Sequence, residues 1–233
     1  MPLELLRLPE PVPCTIVKRR NRFVVEVQVA GSVKAASINN TGRLLDYVAQ
    51  GRLGFCFPRS GGRTDYRLFA VAEGEAAALI DTQMQMKAFE SLLGLKGTVW
   101  ERCRLLSRSP RVGDSTLDYL LSCGGDEIYT ELKSAVLREG PYAMYPDCPT
   151  LRGRRHIREL TELARSGWRA LIVFIAAAPG VSAFKPYERG DPEVARLLRQ
   201  AKESGVLLRA VSMHYDPALS AVVLDNPSLQ VLV

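Results

Sequence analysis

The chain has 233 residues, 47% hydrophobic and 24% charged, enough for one large domain or two smaller ones and too apolar for a disordered or fibrous protein. Its formal charge of +6 leans toward polyanionic partners such as nucleic acid. Five cysteines (14, 56, 103, 123 and 148) include no CxxC pair, which argues against a zinc site, and the odd count argues against a complete disulfide framework.

The opening MPLELLRLPEPVP places acids and prolines where a secretory signal needs an apolar run, so the chain reads as cytoplasmic. CTIVKRR, RFVVEVQVAG and SVKAASINN follow, short Val- and Ile-rich runs broken by Asn, Gly and charge clusters, and RLGFCFPRSGGRTDYRLFAVAEG continues them through a glycine-rich turn. Residues 1–80 are therefore predicted as a small barrel or sandwich. Near Leu79 the texture changes. TQMQMKAFESLLG carries Met84, Phe89, Leu92 and Leu93 at helical spacing and stops at Gly94.

Three strands are predicted next, GTVWERCRLL, STLDYLLSC and EIYTELKSAVL. LRGRRHIRELTELARSG turns Ile157, Leu160, Leu163 and Ala164 inward as a helix closed by Gly167. The longest apolar run, ALIVFIAAAPGV, is too short to span a bilayer, so no membrane partner is expected; it reads as a strand covered on both faces. DPEVARLLRQAKESG is a second amphipathic helix, with Asp191 as N-cap, Pro192 in the first turn and Gly205 after the end, and VLLRAVSMHY returns as a strand. Residues 81–233 thus form an α/β unit with a mixed sheet.

Charges inside core-like segments are costly unless compensated. Side chains alternate along a strand, so Glu131 and Lys133 of EIYTELKS point the same way, roughly 7 Å apart. Asp118 lies on the preceding strand across the CGGD turn, and Glu101 on the strand before that. One face could thus gather three carboxylates and an ammonium, a nest for Mg2+ that would activate a water and shield a phosphodiester. The E-x-K tripeptide is a chance occurrence in a chain of this composition; its strand context is what lends it weight.

NNTGRLLD, STLDYLL…YTELKS and YPDCPTLRGRRHIREL resemble, in order and over nearly the whole chain, the sugar fermentation stimulation protein A family. The long motif PD-x-x-T-x-RG-x-x-H is the most specific part. The resemblance implies an N-terminal OB-like β-barrel joined to a C-terminal domain of the PD-(D/E)XK nuclease type, with DNA as partner and Mg2+ or Mn2+ as cofactor. It matches Asp118, Glu131 and Lys133 to the catalytic motif and Asp118, Glu131 and Glu101 to metal ligands, and it puts Arg152, Gly153 and His156 on a helix facing the site. Two departures stand out: Thr116 where the family carries arginine, and Leu44 where it carries methionine.

Arg152 and His156, as i and i+4, share a helix face able to touch a phosphate. Lys18, Arg19, Arg20 and Arg22 crowd a turn beside Phe23, a pattern able to track a nucleic-acid backbone. Asn40, Thr41 and Gly42 could face either a phosphate or the other domain, and His214 reads as structural. Arginines outnumber lysines 24 to 7, a bias found in some hot-adapted proteins, where an intracellular disulfide would be unsurprising. The leading reading is a metal-dependent nuclease. The alternatives are a non-cleaving DNA-binding regulator of sugar metabolism genes and a binding protein with solvated strand charges. A homodimer stays open.

Overall fold

Pairing of five short strands edge to edge closes the N-terminal third on itself. In the computed structural model, which describes residues 3–233, β1 (Leu3–Arg7) is followed by β2 (Val12–Arg19), β3 (Val24–Val29), β4 (Ser32–Ser37), β5 (Leu53–Pro58), β6 (Tyr66–Glu73) and β7 (Ala76–Leu79). Met1 and Pro2, at the head of the stretch read as lacking an export signal, lie outside the described residues.

Strands β2 to β6 form the barrel. β2 pairs antiparallel with β3 and β5, β3 with β4, β5 with β6, and a parallel β4–β6 pairing completes the circuit. Counting the five from one, the order is 1-2-3-5-4-1, the closed barrel of an OB fold. Ile16, Val25, Val27, Ala36, Cys56 and Leu68 fill its interior. Gly61 and Gly62, both at positive φ, make the expected glycine turn between β5 and β6.

The second unit opens with α1 (Thr82–Leu92), then β8 (Cys103–Arg108), β9 (Arg111–Val112), β10 (Ser115–Thr116), β11 (Tyr119–Cys123) and β12 (Asp126–Ser134). It continues through β13 (Leu137–Glu139), β14 (Tyr142–Tyr145), α2 (Leu151–Arg165), β15 (Arg169–Ala176), β16 (Ala183–Pro186), α3 (Pro192–Glu203), β17 (Leu207–Asp216) and β18 (Ala221–Val231). β12, β15 and β17 run parallel, flanked by antiparallel β11 and β8 on one side and β18 on the other, so the sheet is mixed. Helices α2 and α3 pack Ile157, Leu160, Val194 and Leu198 on Ile172 and Phe174 of β15; α1 packs Phe89 and Leu92 on the opposite face with Val173 and Ile175. Burial on both faces is why this strand is apolar throughout.

Two strand pairings join the units. β1 pairs with β18, and β7 leaves the barrel to pair with β17 through Ala77 and Tyr215. His214 of β17 holds Asp225 of β18 at 2.9 Å, a structural pairing.

Cys103 and Cys123 face each other across β8 and β11 and form a disulfide. Cys14 and Cys56 remain thiols, buried in the barrel with sulfurs 3.1 Å apart, and Cys148 is half-buried. The disulfide closes 20 residues of chain. Chain entropy predicts that Cys103→Ser/Cys123→Ser loses about 3 kcal/mol, read as a lower guanidinium midpoint, and that reductant does the same to the wild type. An unchanged midpoint would show the bond to be dispensable.

Candidate active site

The CGGD turn sets the geometry. Gly124 (φ 65°) and Gly125 (φ 103°) form a two-residue hairpin turn that demands positive φ twice, the left-handed conformation glycine supplies. Cys123 therefore pairs with Asp126 and, counting outward, Tyr119 with Thr130. The next step places Asp118 opposite Glu131. Asp118 Oδ2 accepts from the Leu132 N–H at 2.8 Å.

Glu131 and Lys133 point to the side covered by α2, as strand alternation requires. Both are buried, and Lys133 Nζ donates to Glu131 Oε1 at 2.7 Å. His156, one turn into α2 and 2% exposed, brings Nδ1 to 2.5 Å from the same oxygen. Arg152 Nε approaches His156 Nε2 at 3.4 Å. A guanidinium only donates, so this contact leaves Nε2 as acceptor and puts the ring proton on Nδ1, toward Glu131.

Glu131 Oε2 is buried without any hydrogen-bond partner. Glu131 and Asp118 line a recess of about 160 Å3, with Thr82, Gln85 and Met86 of α1 and Arg152 among its walls.

The charges respond to one another. Burial, then the neighbouring Glu131, pushes the Asp118 carboxyl up to about 6. Burial also opposes ionisation of Glu131, but the Lys133 ammonium and His156 outweigh it and hold that carboxyl below its usual range. Burial likewise opposes the charge on Lys133, and Glu131 overcomes it, so the amine stays protonated beyond its ordinary range.

A raised carboxyl means that folding disfavours the ionised form, so the metal-free protein loses Asp118's contribution as pH climbs from about 4 through 6. Asp118→Asn in EDTA should abolish that loss. The variant is expected to gain on the order of 2 kcal/mol over wild type between pH 4 and 7, a figure reduced for a half-buried, partly screened group. Urea melts at both pH values measure it, and a pH-independent difference would refute burial of the carboxyl as the cause.

Glu101 does not join the group. The chain turns at Gly97–Arg102 to bury Trp100, whose indole N–H donates to Pro227 O at 2.7 Å. Strand β8 therefore starts only at Cys103, and Glu101 stays exposed, accepting from Gly97 N at 3.0 Å. The β8–β11 pairing also sets Glu101 beyond the Cys103–Cys123 end, whereas Asp118 lies beyond the Arg108–Tyr119 end. Among the described residues no cluster of three or more Asp, Glu, His or Cys side chains is placed to hold a metal ion.

The two glycine motifs prove to be contact points. Gly42 lies so close to Asp147 that a Cβ there would sit 2.7 Å from both carboxylate oxygens. Leu44 N donates to Asp147 Oδ2 at 2.8 Å, and Asn40 Nδ2 to Ser134 Oγ at 3.2 Å. The NTG loop is thus a latch onto the second unit, one of the two roles the sequence left open for it. Gly153 likewise lets the Tyr145 hydroxyl abut the first turn of α2, where Thr150 caps Gly153 N at 3.1 Å.

The basic turn divides. Lys18 and Arg20 pair with Glu26 on the barrel, and Arg19 donates to the carbonyls of Gly42 and Arg43, bracing the NTG loop. Arg22 faces the cleft between the units, a cavity of about 810 Å3 that Arg43 and Arg152 also line. Arg43, which charge counting did not single out, would have been reached by extending the NTG motif one residue.

Two domain descriptions match the chain: the N-terminal OB domain of the SfsA family over residues 17–80, and the sugar fermentation stimulation protein RE domain over residues 83–219. The sugar fermentation stimulation protein homolog of Pyrococcus furiosus is 50% identical over 92% of this chain and 94% of its own, and that of Archaeoglobus fulgidus 44% identical over 99% and 100%. A solved structure, Pyrococcus furiosus SfsA in complex with Ca2+, superposes with a TM-score of 0.93 at 46% identity, covering 99% of this chain and 100% of the other. With an OB barrel, a mixed second sheet, both domain matches and relatives 50% and 44% identical over nearly its whole length, this chain belongs to the sugar fermentation stimulation protein family.

Proposed function

We propose that this protein is a divalent-cation-dependent phosphodiesterase acting on nucleic acid, with DNA as the first candidate. One observation carries the reading: Asp118 and Glu131 line one recess, Lys133 is bound to Glu131, whose second carboxylate oxygen has no partner, and the recess shares Ser134 and Arg152 with the arginine-lined cleft. The donor set fits Mg2+ or Mn2+, which bind through one or two carboxylates and complete their shells with water. Asp118 and Glu131 would hold the ion, and the Ca2+ complex of the Pyrococcus furiosus relative supports a hard-cation site. A bound ion would supply an acidified water and charge neutralisation at the phosphate.

The chain's own residues do the rest. His156 and Lys133 both bind Glu131 Oε1, which fixes the carboxylate and leaves Oε2 free for an ion. Lys133 stays protonated, so it acts as a donor to the attacking water or the developing phosphorane charge and not as a base. Arg152 lines both cavities and is placed to hold the phosphate entering the recess.

Labelled single- and double-stranded DNA and RNA, incubated with Mg2+, Mn2+ or EDTA, test the reading. Cleavage with either ion and none in EDTA is expected; no cleavage of any substrate would overturn it. A non-cleaving DNA-binding regulator is the second reading, favoured by the ammonium of Lys133 being already bound to Glu131. That reading predicts salt-dependent binding without cleavage in any metal. As for membranes, no helix among the described residues is long and apolar enough to cross one.

A further inference from the structure

We infer that the strand entering this site is single-stranded, threading between the barrel and the second unit; the inference rests on the phosphodiesterase reading for its chemistry but on the cleft alone for its geometry.

The recess that holds Asp118 and Glu131 has a volume of about 160 Å3, room for roughly five waters at ~30 Å3 each. It admits a phosphate with part of an ion's shell, between α1 and Arg152. The approach is restricted too. The cleft runs between the NTG loop and the Pro146–Arg152 segment, and these walls are tied by the Leu44–Asp147 hydrogen bond, with Gly42 packed directly on the same carboxylate. Widening the cleft for a double helix would break that latch.

The chemistry of the lining points the same way. Arg22, Arg43 and Arg152 form no salt bridge with any acid among the described residues, leaving three cations for phosphates. The same lining carries apolar side chains, the half-buried Leu137 and the 80% exposed Leu151. Phe23, 53% exposed, holds its ring centroid 6.0 Å from Arg22, which lines the cleft. A duplex turns phosphates and sugars outward and has no use for such surfaces. Unstacked bases do, because every base has an apolar face to lay on an aromatic or aliphatic group.

Fluorescence anisotropy with labelled (dT)20 and with a blunt 20-base-pair duplex, in EDTA, tests the inference alongside cleavage of both probes in Mn2+. The single strand is expected to bind at least ~10-fold tighter, Arg22→Ala/Arg43→Ala to weaken it ~10-fold or more, and Phe23→Ala about 10-fold, with thermal melts unchanged. Equal or tighter binding of the duplex, or cleavage of the duplex at the same rate as the single strand, would overturn the inference while leaving the phosphodiesterase reading standing. Strong preference for (dT)20 without cleavage in any metal would do the reverse. Variants that melt normally yet bind (dT)20 like wild type would remove the cleft as the binding path.

Discussion

Cleavage by the Glu131→Gln or Lys133→Met variant is expected to fall at least ~10²-fold, with binding of uncleaved nucleic acid retained. Glutamine keeps the shape of Glu131 but removes the charge that would hold the ion, and it leaves the Lys133 ammonium buried beside a neutral amide. Methionine at position 133 keeps the aliphatic stem and deletes the donor. Each single variant strands a buried charge, which costs about 3–5 kcal/mol when one partner of a buried pair is lost. The double variant Glu131→Gln/Lys133→Met removes both charges and should recover most of that stability while staying inactive. Rates measured in Mn2+ beside urea melts separate chemistry from folding. Wild-type turnover in either single variant would dismiss these residues as catalytic.

Asp191→Ala should destabilise the protein by about 3–5 kcal/mol, although Asp191 touches neither recess nor cleft. The residue is fully buried and takes Arg154 on both carboxylate oxygens, at 2.8 and 3.0 Å. It accepts from Thr150 N at 3.0 Å and caps α3 through Val194 N at 3.4 Å. Burial opposes its ionisation, but Arg154 and the two backbone donors hold the carboxyl below its usual range. One side chain thus ties the first turns of α2 and α3 together, and the start of α2 carries Arg152 and His156. Truncation leaves the Arg154 guanidinium without its counterion and frees the end that positions His156. Loss of cleavage should accompany the loss of stability; a change below ~1 kcal/mol in urea titrations would refute the network's weight.

Much of the architecture was legible residue by residue. Val- and Ile-rich runs broken by Asn, Gly and charge clusters marked the barrel strands, and the three helices lie at their expected places between Asp81, Thr150 or Asp191 at the start and Gly94, Gly167 or Gly205 just past the end. β1, β7, β9, β13, β14, β16 and β18 passed unread: most are too short for their alternation to show, and β18 carries Pro227 among Asp225, Asn226 and Ser228 in its middle. The strand extended back to Gly97 failed because burying Trp100 outweighed β-propensity there.

At the site, local sequence determined what depends on local periodicity. The two glycines of the turn and the alternation along β12 suffice to set Asp118 opposite Glu131 and Glu131 beside Lys133, since both follow from backbone geometry within 16 residues. Tertiary structure alone decided the rest: that His156 reaches Glu131 across 25 residues, that Asp147 meets Gly42 across 105, that Glu101 stays away, and that Arg19 is consumed by carbonyls while Arg22 faces the cleft. Those contacts depend on how helices, sheet and barrel dock, and docking is governed by shape and buried area summed over many side chains, a quantity no short stretch of sequence contains.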